Sequence, residues 1–481
     1  MKMKLLYALF VCVGMLSVPA CKKFTDIQPK GKNLLNTVND LDLLLNFNYH
    51  STGNATESQL LYAGSTAFRF LENNILVNDL YPYPDNSLSL ISSPAKGLTY
   101  ALLTYDESID RKSLAVSDIK YEKMYFIISA ICNIVLDRAD IASGDRQKAS
   151  QIKAEALVLR AWFHYLLVNL YAKAYDPATV ATDGGIPYVT DTDIEAPNAK
   201  STVAEVYQKI LADLDAAFQL NALPNVPVNN ERAGKGFAYG VKAKVLLSMR
   251  DYAGALQAAD AGLAINSSID DHRNFLPPVG NRTISKKTID APDNLFYATI
   301  TTTHPFDQIP SLELLNNVYE PGNIIRDSTA TYNVSRGPAI SGIAGTKTFF
   351  SATWSVNTAG ITTMDLYLTR AECLARTTKV NEAMTVINFI RERRMKPYVA
   401  LTATTEAQAM AYLARTSRIE YLFTPKNYLD IKRWNTEAAY KQTISKTING
   451  ITYQLKPDSK LWIFPFPQSA TNYNPLLTQN Y

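Results

Sequence analysis

The sequence predicts a mainly α protein, built from tetratricopeptide-like helix pairs that form a right-handed scaffold, with a second part that is irregular and rich in loops. Three observations predict it. Apolar residues recur at helical spacing in several long stretches. Two such stretches are separated by a very short polar break, and the same arrangement returns later in the chain. Elsewhere lie segments of Pro, Gly, Ser, Thr and Asn in which no stripe survives. With 481 residues, 47% apolar and 19% charged, the chain has the composition of a globular protein with a large core. A formal charge of +4 is too small to steer polyanions, so nucleic acid is not an expected partner.

The chain opens with Lys2 and Lys4, an apolar run over 5–18, and Pro19-Ala20 directly before Cys21. A basic start, a short apolar run and a small residue at the cut are the parts of a secretory signal peptide. A cysteine as first mature residue makes it a lipoprotein signal, so residues 1–20 are expected to leave and Cys21 to carry the lipid, palmitate included. The apolar run is shorter than the roughly 20 residues of a spanning helix. Two acyl chains, at about 0.8 kcal/mol per buried methylene, anchor durably. A plain buried thiol fits less well, because residues 22–32 are polar and carry no packing pattern. Of the other cysteines, Cys12 leaves with the leader, while Cys132 and Cys373 sit among apolar neighbours and read as buried thiols.

Residues from about 50 to 118 are loop-rich; Tyr81-Pro82-Tyr83-Pro84 cannot be helical, because each proline restricts its predecessor. Residues 153–171 place Ala154, Leu157, Val158, Ala161, Trp162 and Tyr165 on one stripe. Ala238, Val241, Val245, Leu246 and Met249 form a second stripe; after Arg250-Asp251, Tyr252, Ala255, Leu256, Ala259 and Leu263 form a third. So short a break makes the two antiparallel neighbours. Ala243, Leu246 and Ala255 recur as Ala371, Leu374 and Ala383, with a polar turn over 377–379 and a partner stripe through Val386, Ile387 and Ile390. Small alanines let paired helices approach closely, the packing of a tetratricopeptide pair. Gly234, Gly236 and Gly240 follow no strand and lack the phosphate-loop spacing, so they are expected to start and fit a helix. From about 268 to 362 the stripes disappear again, and this part is expected to face a ligand.

No constellation for chemistry stands out. His50, His164, His272 and His304 form neither H-E-x-x-H nor another paired metal spacing, and no G-x-S-x-G is present. His164 reads as a core or groove residue. Asp191, Asp193 and Glu195 alternate as in a calcium loop, but Ala196 and Thr202 stand where its glycine and last glutamate belong. A glycosidase needs two carboxylates at a set separation, and nothing selects a pair from 44 acidic residues. Neither an enzyme nor a cofactor is expected.

Several segments in one order resemble the SusD/RagB family of outer-membrane nutrient-binding lipoproteins. Phe24, Asp26 and Pro29 follow Cys21 as in that family's mature start. Ala154-Glu155-Ala156, Leu159-Arg160-Ala161, Tyr165, Tyr171 and the run Gly184-Gly185-Ile186-Pro187 resemble its central helix and following loop. Tyr367-Leu368-Thr369-Arg370-Ala371-Glu372 with Asn388 and Arg391 resembles its late helix pair. Arg415, Arg418, Glu420, Phe423, Asp430 and Arg433-Trp434 resemble its most recognisable motif, and Phe464-Pro465-Phe466-Pro467 to Gln479-Asn480 its tail. Two departures stand out: Thr424-Pro425-Lys426-Asn427 replaces a Glu-Gly-x-Arg turn, which puts that turn's ion pairs in question, and Lys22-Lys23 replaces the acidic residues that favour surface export.

The resemblance implies a signal peptide over 1–20 and a SusD-like body over 21–481. Within it fall an N-terminal region over about 21–220, tetratricopeptide-like pairs over about 150–265 and 363–395, the loop-rich insertion over about 268–362, and a C-terminal region over about 300–481. It implies a lipid-anchored protein of the cell outer membrane, exposed at the surface as relatives are, that binds glycan and delivers it to a TonB-dependent transporter of the SusC type. Binding sugar asks for aromatic rings under C–H faces and polar side chains for hydroxyls. Tyr62, Arg69, Asn78, Asp79, Tyr81 and Tyr83 offer these in the first loop region, and Tyr332 and Trp354 in the second. The Arg, Glu, Asp and Trp of the late motif are expected to hold structure, through contacts three and four residues apart on a helix. A peptide- or glycopeptide-binding lipoprotein of the same import type and a tetratricopeptide assembly scaffold are the alternatives.

Overall fold

The computed structural model describes residues 35–49, 71–193, 196–274, 289–298, 308–328, 331–349 and 357–481. Helix α1 (Val38–Leu45) starts with a reciprocal cap: the Thr37 hydroxyl accepts from the Asp40 N–H at 3.1 Å, and the Asp40 carboxylate accepts from the Thr37 N–H at 3.0 Å. Three short helices follow, α2 (Leu71–Leu76), α3 (Ser87–Ser92) and α4 (Leu98–Thr104). Two turns or fewer show no stripe, which is why this stretch reads as loop in the sequence.

Helix α5 (Arg146–Tyr171) is the axis of the body. The predicted stripe is buried, but so is nearly every residue from Ala154 to Tyr171, Glu155 and His164 included. A helix that is covered all round is central. Its one buried carboxylate, Glu155, is paired with Arg232 at 2.7 Å, and its end is held by Lys432, whose ammonium donates to the carbonyls of Asn169 and Ala172 at 2.7 and 2.6 Å. With no carboxylate beside it, burial holds that ammonium well below the usual lysine pKa.

Helix α6 (Val203–Gln219) packs along α5. The predicted pairs follow as α7 (Lys235–Ser248) with α8 (Tyr252–Ile265), and α9 (Thr363–Arg376) with α10 (Val380–Glu392); α8 also packs on α9, so the pairs stack. Ala243, Ala255, Ala371 and Ala383 are all fully buried at these contacts. Gly240 shows why small residues are needed: a Cβ there would lie 2.7 Å from Cγ2 of Ile361. Cys132 and Cys373 are buried and free. The fold is therefore mainly α with tetratricopeptide-like pairs.

The strands are short and form four antiparallel two-stranded ladders. β1 (Leu80–Tyr81) pairs with β3 (Ile309–Pro310), β2 (Asn294–Phe296) with β6 (Ile361–Thr362), and β4 (Tyr332–Asn333) with β5 (Thr348–Phe349). β7 (Ile444–Ile448) and β8 (Ile451–Leu455) make a hairpin through Asn449-Gly450, both at positive φ as a two-residue turn requires.

The late motif lies on α11 (Glu406–Glu420) and α12 (Lys426–Trp434), with Phe423 in the turn between them, and α12 is buried along its whole length. Its charges reach across the fold more than along their own helices. Arg433 meets Glu372 through both terminal nitrogens at 2.7 Å, Trp434 donates to the same carboxylate at 2.9 Å, and Glu420 meets Arg394 at 2.8 Å. Only Asp430 to Arg433, at 3.2 Å, follows the expected three-residue spacing. At the unusual turn, Lys426 keeps an ion pair with buried Asp365 at 2.6 Å. The tail returns to α5: Asn480 donates to the carbonyls of Tyr171 and Gly185, and a Cβ on Gly184 would lie 2.6 Å from the Asn480 amide oxygen.

Candidate ligand-binding face

The small ladders bring the two loop regions together. Leu80 and Tyr81 lie opposite Pro310 and Ile309, the Gln308 carbonyl accepts from the Phe349 N–H at 2.9 Å, and Phe349 lies opposite Tyr332. Residues near 80 and near 340 thus share one face despite their separation in sequence. Leu80 packs with Leu314, Tyr319, Tyr332 and Phe349 on one side, and Tyr81 with Leu103, Ile309 and Ile448 on the other.

Beneath this face Asn78 and Asp79 are buried pins. Asp79 accepts from Arg418 at 2.5 Å and from the Asn427 amide at 2.8 Å, while Asn78, at positive φ, donates to the Ser445 carbonyl at 3.2 Å. Burial raises the Asp79 carboxyl above its ordinary pKa, with Arg418 pulling against it. Lys446 of β7 is buried beside them and donates to the Ile75 carbonyl at 2.8 Å over the ring of Tyr105. Burial pulls its pKa down to about 7, Asp79 opposing.

Of the sequence-predicted contacts, Tyr81 is buried, Tyr83 is half-buried on the turn before α3, and Tyr332 is 8% exposed with the Lys347 ammonium 4.5 Å above its ring. Cys21, Tyr62, Arg69 and Trp354 lie outside the described residues. Sequence reasoning missed the buried polar groups on the segments that the ladders join. The side chains of Gln308, Thr331 and Thr348 and the Tyr332 hydroxyl are buried, and none has a hydrogen-bond partner among the described residues. Native interiors leave few such groups, and each costs about 1–3 kcal/mol. No sequence signal marks these residues, because an unmet hydrogen bond exists only in three dimensions.

Both described histidines are buried. His164 is fully buried, with Nδ1 on the Arg160 carbonyl at 2.9 Å, Nε2 accepting from the Val189 N–H at 3.1 Å, and its ring stacked on Tyr188. Burial pulls its pKa down to about 3, so it is neutral. His272 is also buried, beside Asp270 at 3.4 Å. Asp191 accepts from the Asp193 N–H, and Glu195 lies outside the described residues. Among the described residues no group of three or more His, Cys, Asp or Glu is placed to hold a metal.

Residues 77–247 match a family model described as starch-binding associating with outer membrane, and residues 281–481 match the SusD family model. The chain belongs to the SusD/RagB family. Among solved structures, it resembles a SusD superfamily protein from Bacteroides thetaiotaomicron, with a TM-score of 0.67 at 18% identity over 92% of this chain and 100% of that one. A SusD superfamily protein from Bacteroides fragilis gives 0.65 at 16% identity over 93% and 100%. A SusD-like carbohydrate binding protein from Bacteroides vulgatus gives 0.64 at 17% over 93% and 98%. At these identities the likeness is one of fold. No curated protein matches the chain.

Proposed function

We propose that this protein binds oligosaccharide or polysaccharide nutrients at the face around Tyr83 and Tyr332 and hands them to a TonB-dependent outer-membrane transporter of the SusC type, with no bond broken. Family membership supports the class of ligand. What supports the place is the joining of the two loop regions by the small ladders, beside buried polar side chains at Gln308, Thr331, Tyr332 and Thr348 that have no partner among the described residues. A sugar presents both a C–H face for the ring and hydroxyls for the polar groups. In this reading Tyr83, Tyr62, Arg69 and Trp354 touch sugar, Tyr332 lies under it, and Asn78, Asp79 and Tyr81 hold the surface.

Among the described residues no helix is long and apolar enough to cross a membrane, and attachment is assigned to acyl chains on Cys21. The anchor lets the body work as a tethered lid over its transporter. A glycan array probed with the purified protein, followed by an assay for newly formed reducing ends, tests the reading. Retention of a defined set of glycans without release of sugar is the expected result. Retention of peptides alone, or release of sugar at enzyme-like rates, would sink it.

A further inference from the structure

A groove of about 650 Å³ runs between α6, α7 and α8 and shares no residue with the face described above. Its size is that of a small-molecule site. Each wall is one helical stripe: Asp215 and Phe218 come from α6, and Lys235, Tyr239 and Lys242, spaced four and three apart, from α7. The rings of Phe218 and Tyr239 are half-buried, with centroids 4.8 Å apart and planes tilted by 36°.

Most charges in the groove are already used. Lys242 pairs with Asp215 at 2.8 Å and lies over the Phe218 ring, and Asp251 caps α8 by accepting from the Gly254 N–H. Lys235 differs. The residue is half-buried, and its ammonium has neither ion pair nor hydrogen bond among the described residues, where the side chains of Asn221, Tyr239 and Gln257 are equally without hydrogen bonds. The groove therefore joins one unpaired cation, two adjoining rings, of which Phe218 also carries the Lys242 ammonium, and three polar side chains, those of Asn221 and Gln257 exposed. Its walls are the three helices with loop residues Asn221 and Leu223 at one end, none of them in a strand, so an extended peptide finds no strand edge to pair with.

We propose that this groove is a second ligand site, one that takes a carboxylate-bearing sugar, a uronate unit of an oligosaccharide, with its C–H face on Phe218 and Tyr239 and its carboxylate on Lys235. The ligand class rests on the glycan-binding reading; the place rests on the groove alone. The test is calorimetry of the purified full-length protein in detergent with trigalacturonate, with maltotriose as neutral probe and hexaglutamate as acidic peptide. Trigalacturonate is expected to bind saturably and to weaken about tenfold or more in both Lys235→Gln and Phe218→Ala. The salt dependence should flatten in Lys235→Gln, as loss of one charge contact requires.

Several results would overturn the site: equal trigalacturonate affinity in Lys235→Gln, a loss confined to Tyr83→Ala, or binding of hexaglutamate alone. Lys235 is only half-buried, so its variant keeps the test open if Phe218→Ala fails to fold. If trigalacturonate fails to bind while maltotriose binds, the groove falls and the proposed function stands. If neither sugar binds and an array holds no glycan, both fall.

Discussion

Glu372→Ala should destabilise the fold severely without touching a ligand contact. The carboxylate is buried and accepts three hydrogen bonds, two from Arg433 at 2.7 Å and one from Trp434 at 2.9 Å, with Arg376 at 3.7 Å. Burial alone would push its pKa up, but Arg433 and the Trp434 N–H override this and hold it below the ordinary glutamate value. Removing it leaves a buried guanidinium with Asp430 as its nearest remaining acid. Breaking such a pair costs about 3–5 kcal/mol. At about 2.1 cal/mol/K of unfolding entropy per residue, a chain of this size loses roughly 3–5 °C in Tm.

A group held below its unfolded pKa stabilises above that pKa, and the benefit fades as pH falls through the folded value. The gap between wild type and Glu372→Gln should therefore narrow in acid. Thermal melts followed by circular dichroism, across pH, measure both effects. Replacing Glu372 and Arg433 together by methionine should cost less than the two single changes added. An unchanged Tm in Glu372→Ala, or lost glycan affinity at unchanged Tm, would refute the structural reading of this motif.

Lys446→Met should flatten the pH dependence of stability above neutrality. With a folded pKa of about 7, Lys446 loses its proton in the fold while the unfolded chain keeps it up to about 10.5, so wild-type stability should rise between about pH 7 and 10.5 and the variant's should rise less in denaturant titrations. Gly240→Ala forces a Cβ to 2.7 Å from Ile361 and should cost about 1–3 kcal/mol, read as a shifted urea midpoint at constant m-value. Cys21→Ser should abolish incorporation of labelled palmitate and move the protein from the detergent phase to the aqueous phase on partitioning, while leaving glycan affinity intact.

The helical scaffold was legible because its signals are periodic. The recurrence of Ala243 and Ala255 as Ala371 and Ala383 predicted the stacked pairs. The stripe over 154–165 named the central helix but understated its burial, since period alone cannot distinguish one covered side from all sides. The late Arg, Glu, Asp and Trp motif was assigned a structural role, yet its partners Glu372, Arg394 and Asp79 lie on distant segments that spacing does not connect. The face was legible only in outline. Aromatic loops marked the two regions, but their union depends on two-residue ladders, and Gln308, Thr331 and Thr348 gain meaning only once their neighbours are known.

In the proposed function the Tyr83–Tyr332 face binds sugar. Calorimetry with a neutral glycan retained on the array, comparing wild type with Tyr83→Ala and Trp354→Ala, tests it most directly. Loss of one ring–sugar contact should weaken binding about tenfold, or about 1.4 kcal/mol, with Tm unchanged. Affinity for that glycan indistinguishable from wild type in both variants would contradict it.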